Sequence, residues 1–233
     1  MTSGLYDDPE LAARYADVTA ANVCNAAYER PAVRALLGDV ASLDVLDAGC
    51  AAGEHAAWLT ASGARAVALD ASPAMVALAR ARLGPAARVV EADLARPLPF
   101  ADGSFDLVLS SLTLHYLEDW LPPLREFARV LRPGGRLVVS THHPFMTIDV
   151  VPVYHEVTLV EETWAGFGAE PVRVRFYHRP FERMLADLDA AGFRLRGLHE
   201  PLPAPEADAQ DPALAARLRE RPWFVILDAV RGD

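Results

Sequence analysis

Three acidic residues recur at an even interval: Asp47, Asp70 and Asp93 follow one another 23 positions apart. Each closes or directly follows a short apolar run. If those runs are parallel strands, the carboxylates gather at the strands' carboxyl ends, the edge where open α/β sheets bind ligands. The first opens the segment Asp47-Ala48-Gly49-Cys50-Ala51-Ala52-Gly53, a glycine-bearing turn that leads straight into helical spacing. There the backbone can approach a ligand at a helix N-terminus. A dinucleotide fingerprint begun at Gly49 requires glycine at positions 51 and 54, where Ala51 and Glu54 stand instead. His115 and the pair His142-His143 lie near the ends of two later apolar runs. The unperturbed pKa of histidine suits proton removal near neutral pH. His142 and His143 are neighbours on extended chain and point to opposite sides, so at most one of them faces a cleft.

The spacing of apolar side chains predicts the elements that hold these groups. From Leu43 to Thr141, short apolar runs alternate with helical patterns, the signature of β-α-β units and a mainly parallel sheet. Strands are expected over Leu43–Ala48, Ala66–Asp70, Arg88–Ala92, Phe105–Ser110 and Arg136–Thr141, and helices over Glu54–Ala61, Ala74–Leu83 and Trp120–Leu131. Ser72 before Pro73 reads as an N-cap with proline at the first helical position, and Pro133-Gly134-Gly135 stops the third helix. Before this core, Pro9–Leu37 has helical composition. After it, Val157–Trp164 and Val172–His178 alternate as a strand pair around Gly166 and Gly168. Phe181–Ala191 reads as a helix, and Phe193–Leu198 and Trp223–Val230 as strands. Pro201–Pro222, rich in Pro, Ala and Asp, reads as a surface excursion with a short helix over Pro212–Arg219.

Composition removes several functions. All 22 positive charges among the 233 residues are arginine, against 32 acids and a net charge of -10. Without lysine there is no Schiff base and no phosphate-loop lysine. The acidic balance argues against a nucleic-acid partner, which needs clustered basic residues. Cys24 and Cys50 form no C-x-x-C pair, which fits reduced thiols in a cytoplasmic protein. Met1–Glu10 has no basic region, and no apolar stretch approaches the ~20 residues of a membrane span.

Several segments match one family. Asp47, Gly49 and Gly53 match the acidic-x-Gly-x-Gly-x-Gly motif I, with a departure at Ala51, whose methyl group narrows the approach of a ligand. Phe105-Asp106-Leu107-Val108-Leu109-Ser110-Ser111 is similar to the fourth motif, and Leu124 to Gly135 to the helix and turn that follow it. From Val45 to Ser140 the chain resembles the class I S-adenosylmethionine-dependent methyltransferases. The flanks Asn25–Pro31 and Phe176–Pro180 resemble bacterial members near the quinone-biosynthesis and natural-product enzymes. The resemblance implies a Rossmann-like, doubly wound, mainly parallel seven-stranded sheet in a single domain over residues 1–233. Residues 1–38 would form an N-terminal helical cap, 39–143 the cofactor-binding core, 144–179 a β-hairpin lid and 180–233 the C-terminal part of the sheet.

It also implies S-adenosylmethionine as cofactor and S-adenosylhomocysteine as product. Asp70 would hold both ribose hydroxyls, Asp93 the adenine amino group, and Asp47 would face the methionine end with its ammonium. Ala71, Ser72 and Met75 would supply backbone contacts and an apolar wall, with Tyr15, Leu94, Ser110 and His115 along the same ligand. Three carboxylates would repel the phosphates of NAD or ATP, whereas this ligand carries a sulfonium and no phosphate.

Methyl transfer is a near-linear displacement, so the protein must align a nucleophile and exclude water. A base is needed only where the acceptor loses a proton; His115, His143 and Tyr28 are the candidates. The acceptor is expected beyond strands four and five, among Ser111, His115, Tyr116, His142 and His143, beneath Tyr15 and Tyr28. No metal is expected, since no H-x-x-x-H spacing occurs. The N-P-P-Y sequence of DNA amino-methylating members is absent, as is a Pro-Cys dipeptide. A small organic acceptor is left, aromatic or prenyl-like given Tyr28, Trp120, Phe145, Trp164, Phe167 and Tyr177, and a monomer or homodimer is expected. Two other readings stay open. One is a protein that binds the cofactor or its product without transfer. The other is an NAD(P)-dependent oxidoreductase, although the short-chain dehydrogenases' Tyr-x-x-x-Lys pair cannot exist here.

Overall fold

The structure, a computed structural model, describes residues 6–164 and 171–232. Its centre is a seven-stranded sheet made of β1 (Asp44–Ala48), β2 (Arg65–Asp70), β3 (Arg88–Glu91), β4 (Phe105–Ser111), β5 (Leu131–His142), β8 (Phe193–His199) and β9 (Phe224–Arg231), with β6 (Thr158–Trp164) and β7 (Val172–His178) forming a separate hairpin. The strand order is β3-β2-β1-β4-β5-β9-β8. All neighbours from β3 to β5 pair parallel, and β9 runs antiparallel to both β5 and β8. The order reverses between β1 and β4, which opens a crevice at the carboxyl edge.

Alternation along the strands divides the core into two layers. Leu46, Val108 and Leu137 point to one side, where Trp120 and Phe127 pack. Val45, Leu107, Leu109 and Val138 point to the other, beneath Val33 and Leu37. Helices α3 (Glu54–Ala61), α4 (Pro73–Leu83) and α5 (Leu121–Val130) connect the parallel strands, and α6 (Phe181–Ala190) precedes β8. The hydroxyl of Ser72 accepts from Met75 N–H at the head of α4 as the sequence predicts.

Three elements differ from expectation. The N-terminal helical segment is broken into α1 (Pro9–Ala21), a π-helical turn (Asn25–Glu29) and α2 (Arg30–Leu37). Asn22 leaves helical geometry at ψ 155° and its side chain accepts from Asn25 N–H at 2.7 Å, which ends α1. The fifth strand starts at Leu131 rather than Arg136, and residues 132–135 bulge out of its pairing with β4. The Pro-rich connection is not an excursion: it forms α7 (Pro205–Gln210) and α8 (Pro212–Glu220), each opened by proline. Ala207, Ala215 and Leu218 are buried there against Tyr28 and Phe224.

The hairpin of β6 (Thr158–Trp164) and β7 (Val172–His178) pairs in register from Thr158↔His178 to Trp164↔Val172. Gly166, Phe167 and Gly168, expected at its tip, lie outside the described residues. At its base, the buried Arg179 donates to Asp187 at 2.7 Å and sits 4.7 Å from the Trp120 ring centroid. Asp187→Ala would leave that guanidinium buried and unpaired, and should lower the unfolding free energy by about 3–5 kcal/mol in urea titration. A loss below 1 kcal/mol would show that the pair does not secure the hairpin's base.

Candidate active site: two adjoining cavities

The carboxyl ends of β1, β2 and β4, the second half of α1 and the residues Tyr6 and Asp7 before it enclose a cavity of about 320 Å³. At its floor, Asp70 accepts from the N–H of Ala51 through Oδ2 and from that of Ser72 through Oδ1, both at 2.9 Å. Burial raises its pKa, and those backbone donors oppose the shift. One carboxylate thus fixes the loop before α3 and the N-cap of α4. Gly49 has φ +83°, and a Cβ there would lie 2.3 Å from the Thr113 side chain. Ala51 adopts φ +46° in the motif position where glycine is usual, a strain of about 1–2 kcal/mol held at a ligand-facing loop. Gly53 also has positive φ, but it lies behind the loop against Ala79 and Leu83 and does not line the cavity.

Asp47 is 1% exposed and its Oδ2 has no hydrogen-bond partner among the described residues. Burial pushes its pKa up to about 6, against the pull of His55 and a backbone N–H. Ala71, Ser72, Met75, Asp93 and Leu94 line the cavity as well. Tyr6, Tyr15 and Tyr116 close one side: the Tyr6 and Tyr116 hydroxyls are 2.9 Å apart and the Tyr6 and Tyr15 ring centroids 4.7 Å.

Sequence reasoning missed a buried polar cluster behind this floor. Glu29, on the π-helical turn, accepts from the hydroxyls of Ser111, at 2.7 Å, and Ser140, and meets His55 Nε2 at 3.4 Å. Burial alone would raise its pKa; the hydrogen bonds and the His55 charge outweigh that and hold it below the usual carboxylate range. Arg30 beside it pairs with Glu54 at 3.3 Å. No sequence signal marks a π-turn, although π-turns often sit at functional sites. Asp7, Glu29, Asp47, Glu54, Asp70 and Asp93 thus surround the cavity, against Arg30 as its one arginine among the described residues.

A second cavity, of about 630 Å³, adjoins the first; Tyr15, Thr19, Asn25, Leu112 and Tyr116 line both. His115 and His142 face it as stacked rings 3.8 Å apart. Burial lowers both pKa values, His115 well below its ordinary value and His142 to about 3, so both rings are neutral. Four expectations are corrected here. His115 lines this cavity and not the first. His143 lines neither: it points the other way from His142 to bond Glu200 at 2.8 Å and accept from Phe145 N–H. Tyr28 lines neither, being fully buried, stacked on Phe224, with Trp223 N–H donating to its hydroxyl. Ser110 is buried off the cavity, and Ser111, one residue on and therefore on the other face of β4, takes its place. Of the expected acceptor-side aromatics, Phe145 and Trp164 line the second cavity. Trp120 belongs to the core, and Tyr177 reaches Glu118 at the surface.

Residues 46–139 match the methyltransferase domain family. An S-adenosylmethionine-dependent methyltransferase structure from Mesorhizobium loti is 31% identical, with a TM-score of 0.70, over 87% of this chain and 97% of that one. The chain belongs to the S-adenosylmethionine-dependent methyltransferases. Among curated relatives, the malonyl-[acyl-carrier protein] O-methyltransferase of Pseudescherichia vulneris is 33% identical over 61% of this chain and 62% of its own length. The demethylmenaquinone methyltransferase of Mycolicibacterium paratuberculosis is 45% identical over 48% of this chain and 47% of its own. The matches therefore span about half to six-tenths of these relatives' length.

The first cavity suits the methyltransferase family's cofactor. An unpartnered buried carboxylate oxygen and an excess of acids favour a cation, and Gly49, packed against the Thr113 side chain, presents only backbone to the cavity. Among the described residues, phosphates would meet no unpaired guanidinium there. The floor itself can be tested without a ligand: Asp70→Ala should speed hydrogen exchange at the Ala51 and Ser72 amides by at least about tenfold. Unchanged exchange at both amides would remove Asp70 as the tie.

Proposed function

We propose that this chain transfers a methyl group from S-adenosylmethionine, bound in the first cavity, to a small organic acceptor in the second. The surplus of carboxylates around the first cavity carries the reading, since a cationic, phosphate-free nucleotide offsets it where a phosphate-bearing one would not. When bound, the cofactor supplies an electrophilic methyl group on a sulfonium. Asp70, already holding two backbone N–H groups, keeps lone pairs for the ribose hydroxyls. Asp93 accepts from the adenine amino group between Leu94, Ala71 and Met75, and Ser72 holds the head of α4 in place. Asp47 takes the ammonium of the methionine end, Gly49 lets the backbone approach it, and Gly53 shapes the turn from behind. Tyr15 and Tyr116, together with Leu112, form the partition across which donor and acceptor meet and exclude water.

His115 and His142 serve the acceptor as neutral hydrogen-bonding groups. With pKa values far below neutral, neither is a strong base near pH 7. His143 and Tyr28 act through packing. The relatives' names carry two acceptors, malonyl-[acyl-carrier protein] and demethylmenaquinone; the aromatic-walled second cavity favours a free small molecule over a carrier protein. The reading extends to a cytoplasmic enzyme of bacterial type, monomeric or homodimeric, with residues 1–233 acting as one domain and no nucleic-acid partner. A net charge of -10 supports the last point, and no described helix is long and apolar enough to cross a membrane.

Calorimetry with S-adenosylmethionine, S-adenosylhomocysteine and NAD tests this. The first two should bind and NAD should not, and Asp70→Asn should weaken S-adenosylmethionine binding by at least about tenfold. Binding of NAD with neither of the others would overturn the reading.

A further inference from the structure

This inference rests on the acceptor occupying the second cavity. The charged residues that line it balance, Asp149 and Glu162 against Arg217 and Arg221, and Arg221 pairs with Asp149 at 3.3 Å. Selection therefore falls to the uncharged interior, whose walls are largely apolar and aromatic around two imidazoles. His115 sits in the 3-10 turn Leu114–Tyr116 after β4, and His142 ends β5. Their rings lie within 12° of parallel, and Phe176 packs edge-on to both, its centroid 4.6 Å from His142 and 6.2 Å from His115.

The Nδ1 atom of each ring is buried and has no partner among the described residues. That leaves Nε2 as the nitrogen each ring can offer the cavity. A buried N–H without an acceptor costs more than a buried lone pair, which the protein tolerates more often. Each neutral ring therefore keeps its proton on Nε2 and its lone pair on Nδ1. The two rings face the cavity as donors rather than as bases.

We infer that the His115–His142 stack is a paired hydrogen-bond donor for an oxygen of the methyl acceptor, which makes the acceptor a planar molecule bearing a carbonyl, enolate or phenolate oxygen. Two donors fixed in an apolar-walled cavity hold developing negative charge on that oxygen without having to reorient. A neutral imidazole does this without the cost of burying a cation. Phe224 and Trp223, on the same walls, supply the flat apolar contact for the rest of the ring.

Two flat bicyclic probes separate the chemistries. Coumarin offers a carbonyl acceptor and no donor, and indole offers an N–H donor and no lone-pair acceptor. In calorimetric titrations of the full chain, coumarin should bind at least about tenfold tighter than indole. His115→Phe and His142→Phe keep a ring in the stack and should cut that preference to about threefold or less. In the wild-type chain, imidazole nitrogen NMR shifts should report Nε2–H for both histidines, a readout that does not depend on the variants folding. Equal affinities, a preference for indole, binding of neither probe, or Nδ1–H tautomers would overturn the inference. S-adenosylhomocysteine titrated into the same samples separates the two claims. Its failure to bind strikes the methyl-transfer reading, whereas its binding without a coumarin preference strikes only the imidazole pair.

Discussion

The carboxylate of Asp70 ties the ligand-binding half of the molecule together. Its two oxygens hold the N–H of Ala51, in the loop before α3, and that of Ser72, the N-cap of α4. Two helix N-termini are thereby aimed at one point beyond β2, and their dipoles favour the negative charge that Asp70 brings. Ala51 can stay at φ +46° because this hydrogen bond holds it there. The two hydrogen bonds offset part of the cost of the loop's left-handed backbone and of burying the acid, and they tie the loop and the head of α4 to one carboxylate before any ligand arrives.

Around that floor, charge does most of the selecting. Asp47 is buried beside the glycine turn with one oxygen unpartnered, and Glu29 remains ionised behind it only through its serine and histidine neighbours. Arg30 is paired with Glu54, which Arg82 meets as well at 2.5 Å, so among the described residues the cavity lining offers an incoming phosphate no unpaired guanidinium. A cationic ligand recovers the energy that isolated carboxylates lose on burial. The second cavity is built on the opposite plan, with balanced charges at its mouth and uncharged rings within.

The ends of the parallel strands were legible in the sequence because each β-α-β unit there has nearly the same length, so acids at strand ends recur at a fixed interval. Motif spacing located Asp47, Asp70, Asp93 and the glycine turn, and the strand alternation located the hairpin. Side-chain facing was harder to read. Ser110 and His143 were each one residue away from the group that faces a cavity, and on extended chain one residue reverses the side. Tyr28 has the composition of a lid residue, yet the alanines of α7 and α8 seal it inside. Glu29 and His55 were not legible, because a π-turn brings a distant segment against the ends of β4 and β5, and no local pattern announces that contact.

If Asp47 meets the cofactor's ammonium, binding must draw off the proton that burial keeps on it. Its free-state pKa of about 6 means that the apo protein carries this proton at lower pH and lacks it well above. Cation binding favours the ionised form, so affinity should rise with pH up to about 6 and then level off. Calorimetry of S-adenosylmethionine binding in buffers of different ionisation enthalpy counts the protons released. We predict an Asp47-dependent release near pH 5.5 that falls to none by pH 8 and is absent in Asp47→Asn. The same proton count in the wild-type chain and Asp47→Asn near pH 5.5, with affinity intact, would contradict the account.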